Sequence, residues 1–142
     1  MNNFFSEDEQ GRIVAAIKEA EKQTSGEIRL FVEARSKVEI LDRAAFIFQK
    51  LGIQNTKNRN GVLFYIAYED RQFAIIGDAG INHVVEDNFW DNIKEEMQKH
   101  FAGGRFVDGL INGVKQSGEA LKKYFPYKPD DKNELPDEIA LG

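Results

Sequence analysis

The spacing of apolar residues changes several times along the chain, and each change marks an element. Ile13, Val14, Ile17 and Ala20 fall at helical spacing, with Lys18, Glu19, Glu21 and Lys22 on the other side. Ser6 followed three residues later by Glu9 is a capping-box signature for the start of this helix, and Gly26 suits a left-handed position beyond its end. Residues 27–33 alternate polar and apolar, broken only at Phe31, which predicts a first strand near a sheet edge. Leu41, Ala44, Ala45, Phe48 and Leu51 return to helical spacing and stop at Gly52.

From Val62 to Tyr68 the chain is apolar or aromatic at every position. Glu69-Asp70-Arg71-Gln72 breaks the run, Phe73-Ala74-Ile75-Ile76 resumes it, and Gly77-Asp78-Ala79-Gly80 ends it. Two apolar runs around a polar break predict a β-hairpin, and the lack of alternation predicts helices over both faces. Strand, helix and strand form a βαβ unit, so strands one and two are expected to be parallel with a right-handed crossover. Between them, residues 53–60 read as a polar, basic, mobile loop. After Gly80 a short turn or helix carries Ile81, Val84 and Val85. Asp87 is placed to cap a third helix bearing Phe89, Trp90, Ile93, Met97 and Phe101, ended by Gly103-Gly104. Phe106, Leu110, Val114 and Leu121 define a fourth, with Gly109, Gly113 and Gly118 inside it as marks of close helix or sheet approach. The pattern predicts an α/β protein, a three-layer α/β/α sandwich with a small mixed sheet and about four helices. Residues 1–125 form the single domain. Residues 126–142 hold all three prolines and many acids, and read as an extended or disordered tail.

Composition narrows the class. A chain of 142 residues supports one domain with a full core. The net charge of −5 argues against a general nucleic-acid binder, and the absence of cysteine removes disulfides, thiolate nucleophiles and zinc–thiolate sites. No signal peptide and no apolar run of membrane-spanning length is visible, so a soluble, cytoplasmic monomer is expected.

Strand direction decides which polar residues can meet. Glu27 begins strand one, Asn60 precedes the parallel strand two, and Asp78 follows the antiparallel strand three, so all three belong at one edge of the sheet. Asp70, in the hairpin turn, falls at the opposite edge, roughly 20 Å away. If the fourth helix begins at the first edge, Asp108 in its first turn joins them. Clustered carboxylates repel and a cation relieves them, and an all-oxygen set suits Ca2+ or Mg2+. Plainer roles remain open: Asp78 could cap a turn, Glu27 could be a solvated strand-end charge, and Asp108 could answer only to the helix dipole. Lys57 and Arg59 could bind a phosphate or simply face solvent. His83 and His100 have no nucleophile motif beside them.

Taken together, Ser25-Gly26-Glu27-Ile28, Asn60-Gly61-Val62-Leu63, Glu69-Asp70-Arg71, Gly77-Asp78-Ala79-Gly80 and Phe106-Val107-Asp108-Gly109-Leu110 with Gly113-Val114 resemble the TPM domain. That family is named after a thylakoid-lumen phosphatase of photosystem II repair. The resemblance covers roughly residues 5–125. It implies an α/β/α sandwich, divalent-cation binding and, for the plant member, acid phosphatase activity. Carried onto this chain, it makes Glu27, Asn60, Asp78, Asp108 and Asp87 the candidate metal ligands. Many relatives have a signal peptide and a C-terminal membrane helix, neither of which is visible here.

Three functions compete. The first is a non-catalytic calcium-dependent module acting with protein partners in assembly or repair. The second is a metal-dependent phosphatase of small phosphate esters, with Asp78 and Asp108 on the cation, Glu27 as base and Lys57 or Arg59 on the phosphate. The third is a plain interaction domain.

Overall fold

The structure, a computed structural model, describes residues 4–127 and 139–141. Helix α1 spans Glu7–Glu21 and opens with the expected capping box: the Glu9 amide donates to Ser6 Oγ, and the Ser6 amide to Glu9. Strand β1 is Glu27–Glu33, α2 is Ile40–Lys50, and a 3-10 turn covers Ile53–Asn55. The hairpin follows as β2, Gly61–Ala67, and β3, Gln72–Gly77. Then come α3, Ala79–Val84, α4, Phe89–Ala102, α5, Phe106–Tyr124, and a two-residue strand β4, Ala140–Leu141.

The sheet order is β3-β2-β1-β4. Strands β1 and β2 are parallel, with Glu27 opposite Gly61 and Glu33 opposite Ala67. Strand β3 runs antiparallel to β2, from Ala67 opposite Gln72 to Val62 opposite Gly77. Successive side chains point to opposite faces, so the two cores separate by parity. Ile28, Leu30, Val62, Phe64 and Ile66 pack with α1, α4 and α5, whereas Phe31, Leu63, Tyr65 and Ala74 pack with α2. This is the expected α/β/α sandwich, and it explains why β2 is apolar at every position: all seven of its residues are buried.

Several local readings change. β3, expected to be covered on both faces, is an outer strand, and its Ile75 and Ile76 are partly exposed. β1, read as near an edge, lies inside the order because Ala140 and Leu141 pair in parallel with Phe31 and Val32. Part of the segment read as a tail is therefore a strand; residues 128–138 lie outside the described residues. Glu21, assigned by pattern to the outer face of α1, is four residues beyond Ile17 and lies buried with it, its carboxylate accepting the Ile28 amide at 2.8 Å. Gly26 has no positive φ; a Cβ there would lie 2.6 Å from Leu121. The N-cap position of α4 is Asn88, not Asp87, and its side chain makes no capping hydrogen bond.

The three glycines of α5 do mark close approach. A Cβ at Gly109, Gly113 or Gly118 would come within 2.6–2.7 Å of His100, Met97 and Ala20 respectively. Helices α4 and α1 thus press directly onto the α5 backbone, and the helical propensity lost at each glycine is offset by that packing.

Candidate functional site

The site forms where β1 and β2 begin and β3 ends. The 3-10 turn covers the entry to β2 so closely that a Cβ at Gly61 would lie 2.5 Å from Ile53. The loop that follows is pinned rather than free. Arg59 donates its amide to the Thr56 carbonyl, and Asn60 donates its own to Thr56 Oγ1. Arg59 takes a left-handed φ of 51° to complete the turn. Two neighbours then lock the loop from either side: the Glu27 amide donates to the Asn60 carbonyl, and the Gly80 amide to the Arg59 carbonyl at 2.8 Å. The second contact explains Gly80, whose φ is ordinary. A Cβ there would stand 2.0 Å from the Asn58 carbonyl oxygen, leaving no room for any side chain.

This brings Glu27, Asn60 and Asp78 to one rim, as strand direction predicted. All three are buried, at 1%, 1% and 6% exposure. The Asp78 amide donates to the Gly61 carbonyl, which continues the β3 ladder, and its carboxylate caps α3 by accepting the Ala79 amide at 2.7 Å. Both Asp78 oxygens also receive Arg59: Nε to Oδ2 and Nη2 to Oδ1, each at 2.6 Å. This fork hydrogen-bonds and charge-stabilises the guanidinium, raising the Arg59 pKa. Asn60 Nδ2 donates to Ser25 Oγ at 3.2 Å, but its Oδ1 is buried and accepts no hydrogen bond among the described residues.

The remaining expected ligands are elsewhere. Helix α5 runs the opposite way from the direction that would bring Asp108 in. Its C-terminal end lies at the site rim, where Thr24 Oγ1 donates to the Leu121 carbonyl. Its start lies at the far rim, with Phe106 4.9 Å from the Phe4 ring, which stacks on Tyr68. Asp108 is exposed there and pairs with Arg12 at 3.0 Å. Asp87 is exposed in the turn ahead of α4. No group of three or more His, Cys, Asp or Glu residues placed to hold a metal ion occurs among the described residues. Of the two expected phosphate-binding cations, Arg59 is engaged by Asp78, and Lys57 is exposed on the same loop. Asp70 is at the opposite rim, as expected, accepting the Ser36 amide at 2.8 Å.

A second polar cluster escaped the sequence reading. At the far end of β1 the Glu33 carboxylate is buried and receives Arg43 in a fork of 2.8 and 3.0 Å, together with the Tyr65 hydroxyl. Burial pushes the Glu33 pKa up. The bonds from Arg43 and Tyr65 and the Arg43 charge outweigh that, leaving the carboxyl below its ordinary value of 4.5. Tyr65 is raised by burial, then by its hydrogen bond to Glu33 and the Glu33 charge. The signal available was parity: Phe31 faces Tyr65 across the strands, so Glu33 and Tyr65 share a face. The apolar run around Tyr65 concealed its hydroxyl.

Comparison with known proteins fits this architecture. The family model described as TPM domain matches residues 1–120. The chain belongs to the TPM domain family. Among solved structures, the NMR structure of the BA42 protein from the psychrophilic bacterium Bizionia argentinensis is 48% identical, covering 100% of this chain and 98% of that one, with a TM-score of 0.92. Two more distant domains share the fold. The N-terminal domain of cg2496 from Corynebacterium glutamicum is 14% identical at a TM-score of 0.66, covering 94% of this chain and 80% of that one. The N-terminal domain of a P. gingivalis protein is 19% identical at 0.70, covering 87% and 80%. No curated protein matches this chain. Among the described residues, no helix of this TPM domain is long and apolar enough to cross a membrane.

Proposed function

We propose that this TPM domain is a non-catalytic module that takes a hard divalent cation, calcium or magnesium, at the Glu27–Asn60–Asp78 rim and works through protein partners. The observation that carries the reading is Asn60 Oδ1, a buried carbonyl oxygen that accepts no hydrogen bond among the described residues. Such an atom costs about 1–3 kcal/mol unless something binds it, and a calcium ion is suited to amide and carboxylate oxygens. Asp78 supplies a second oxygen group once Arg59 lets go, and the Arg59 side chain is 53% exposed, so water can receive it. Glu27 is the third. Asp108 and Asp87 take no part in this reading.

A phosphatase draws less support. Of the two cations expected to hold the phosphate, Arg59 is already engaged by Asp78. The deciding experiment is an NMR titration of the intact chain with Ca2+ and with Mg2+. Amides of Ser25, Glu27, Asn60, Asp78 and Ala79 are expected to move saturably, and Asp78→Asn to abolish the response. Arg59→Asn tolerates the left-handed φ and removes the competing cation, so it is expected to tighten binding about tenfold. Unmoved amides at this rim would sink the reading. Metal-dependent turnover of an aryl phosphate that is lost in Asp78→Asn would replace it with the phosphatase.

A further inference from the structure

The rim opposite Asp78 carries a cavity that the cation reading does not use. It holds about 300 Å3 between Phe4 ahead of α1, the hairpin end and the loop joining α4 to α5. Its walls are aromatic. Phe101 stacks on Phe106 at 4.2 Å and meets Phe73 edge-on at 5.0 Å, while Phe4 stacks on Tyr68 at 4.5 Å. An enclosed apolar space of about 150 Å3 already accepts a benzene ring, so this one holds a ring with a substituent.

Among the described residues, one charged residue lines it. Arg71 ends the hairpin turn at a left-handed φ of 54°, and its guanidinium forms no ion pair among the described residues. Nearby arginines are different: Arg35 is paired with Glu69 and Arg43 with Glu33. Arg71, Gln72, Phe73 and Phe101 also wall an adjoining space of about 340 Å3, where Lys94 stands 5.8 Å from the Phe73 ring centroid. Two cationic side chains, Arg71 and Lys94, thus stand at or beside the cavity, above an apolar floor.

We infer that this cavity binds a small aromatic acid, its ring against Phe101 and Phe106 and its carboxylate on Arg71. Stacked and edge-on rings offer a further ring the offset contacts it prefers. A planar guanidinium matches a carboxylate through two parallel N–H bonds, a geometry that ammonium groups do not reproduce. Apolar walls with a few placed polar groups at one end are the usual make-up of a small-molecule site.

The test is an NMR titration of the intact chain with phenylacetate, with phenylacetamide as its neutral twin. Saturable shifts are expected at the amides of Ile66, Tyr68, Gln72, Phe73 and Phe106, with half-saturation near or below about 1 mM. The amide is expected to bind about tenfold more weakly than the acid. Arg71→Asn keeps the turn and should erase that difference, whereas Arg71→Lys should retain part of it. Phe106→Ala should weaken both ligands alike. Equal binding of acid and amide to the unaltered chain overturns the inference. So does the absence of saturable shifts up to about 10 mM phenylacetate, or shifts gathered instead at Asn60 and Asp78.

Discussion

Two buried carboxylates stand at opposite ends of the same sheet, each held by an arginine fork, and they differ in what surrounds the fork. At one end Glu33 receives Arg43 and Tyr65 against the α2-side core, with the Arg43 side chain only 29% exposed. Both Glu33 oxygens are used, and neither is left without a partner. At the other end Asp78 receives Arg59 from a loop, more than half of that side chain lies in water, and the side-chain Oδ1 of the adjacent Asn60 accepts no hydrogen bond among the described residues. Displacing Arg43 would strand a charge among apolar side chains, whereas displacing Arg59 moves a cation already half in solvent. The comparison teaches that an Asp or Glu bound by Arg is a lock or an exchangeable contact according to the burial of the arginine and the supply of spare oxygens.

The largest effect expected is at the exchangeable end, because there the loop rather than the ion pair carries the geometry. Gly80→Ala places a Cβ 2.0 Å from the Asn58 carbonyl oxygen, a backbone atom that cannot rotate away. It should lower unfolding free energy by about 3 kcal/mol, measured by urea denaturation, and shift the amides of residues 58–60. A stable variant with unmoved amides would mean the loop is not clamped as described.

Next comes the lock itself. Arg43→Met leaves Glu33 buried without its cation and should cost about 2 kcal/mol by the same measurement, with a clearly smaller loss for Arg59→Asn. Equal losses would break the distinction between the two ends.

The Glu33 cluster also carries a pH signature. The Glu33 pKa is lower folded than unfolded, so its contribution is full above the unfolded value of 4.5 and fades as pH falls through the folded value. Glu33→Gln should therefore show a flatter stability profile than the unaltered chain in that acidic range. Tyr65, with its pKa raised, contributes fully below its ordinary value of 10 and loses that contribution as pH rises beyond it. Tyr65→Phe should remove the alkaline loss. Identical profiles for the unaltered chain and both variants would show that the cluster is not coupled to folding.

The smallest effect is at Asp108. Its pair with Arg12 is exposed on both sides, so Asp108→Asn should change stability by no more than about 0.5 kcal/mol and leave any Ca2+ response intact. A lost response would return Asp108 to the cation site.

Much of this molecule was legible along the chain. Helical and strand spacing located α1, α2, β1, β2, β3, α4 and α5, the capping box at Ser6 was correct, and the α5 glycines announced close packing, because these features depend on neighbours within a few residues. Strand direction alone also put Glu27, Asn60 and Asp78 together and Asp70 far away, since a parallel pair and a hairpin leave one arrangement of ends. Other features required the folded chain. The direction of α5 is fixed by where its apolar face packs, and that sent Asp108 to the far rim beside Arg12. The inward turn of Glu21, the pairing of Ala140 with β1, and the meeting of Glu33, Arg43 and Tyr65 join residues that no local period relates. Local periodicity sets which face of an element is apolar; only the closing of the layers decides which charge meets which, because that depends on distances across the core rather than along the chain.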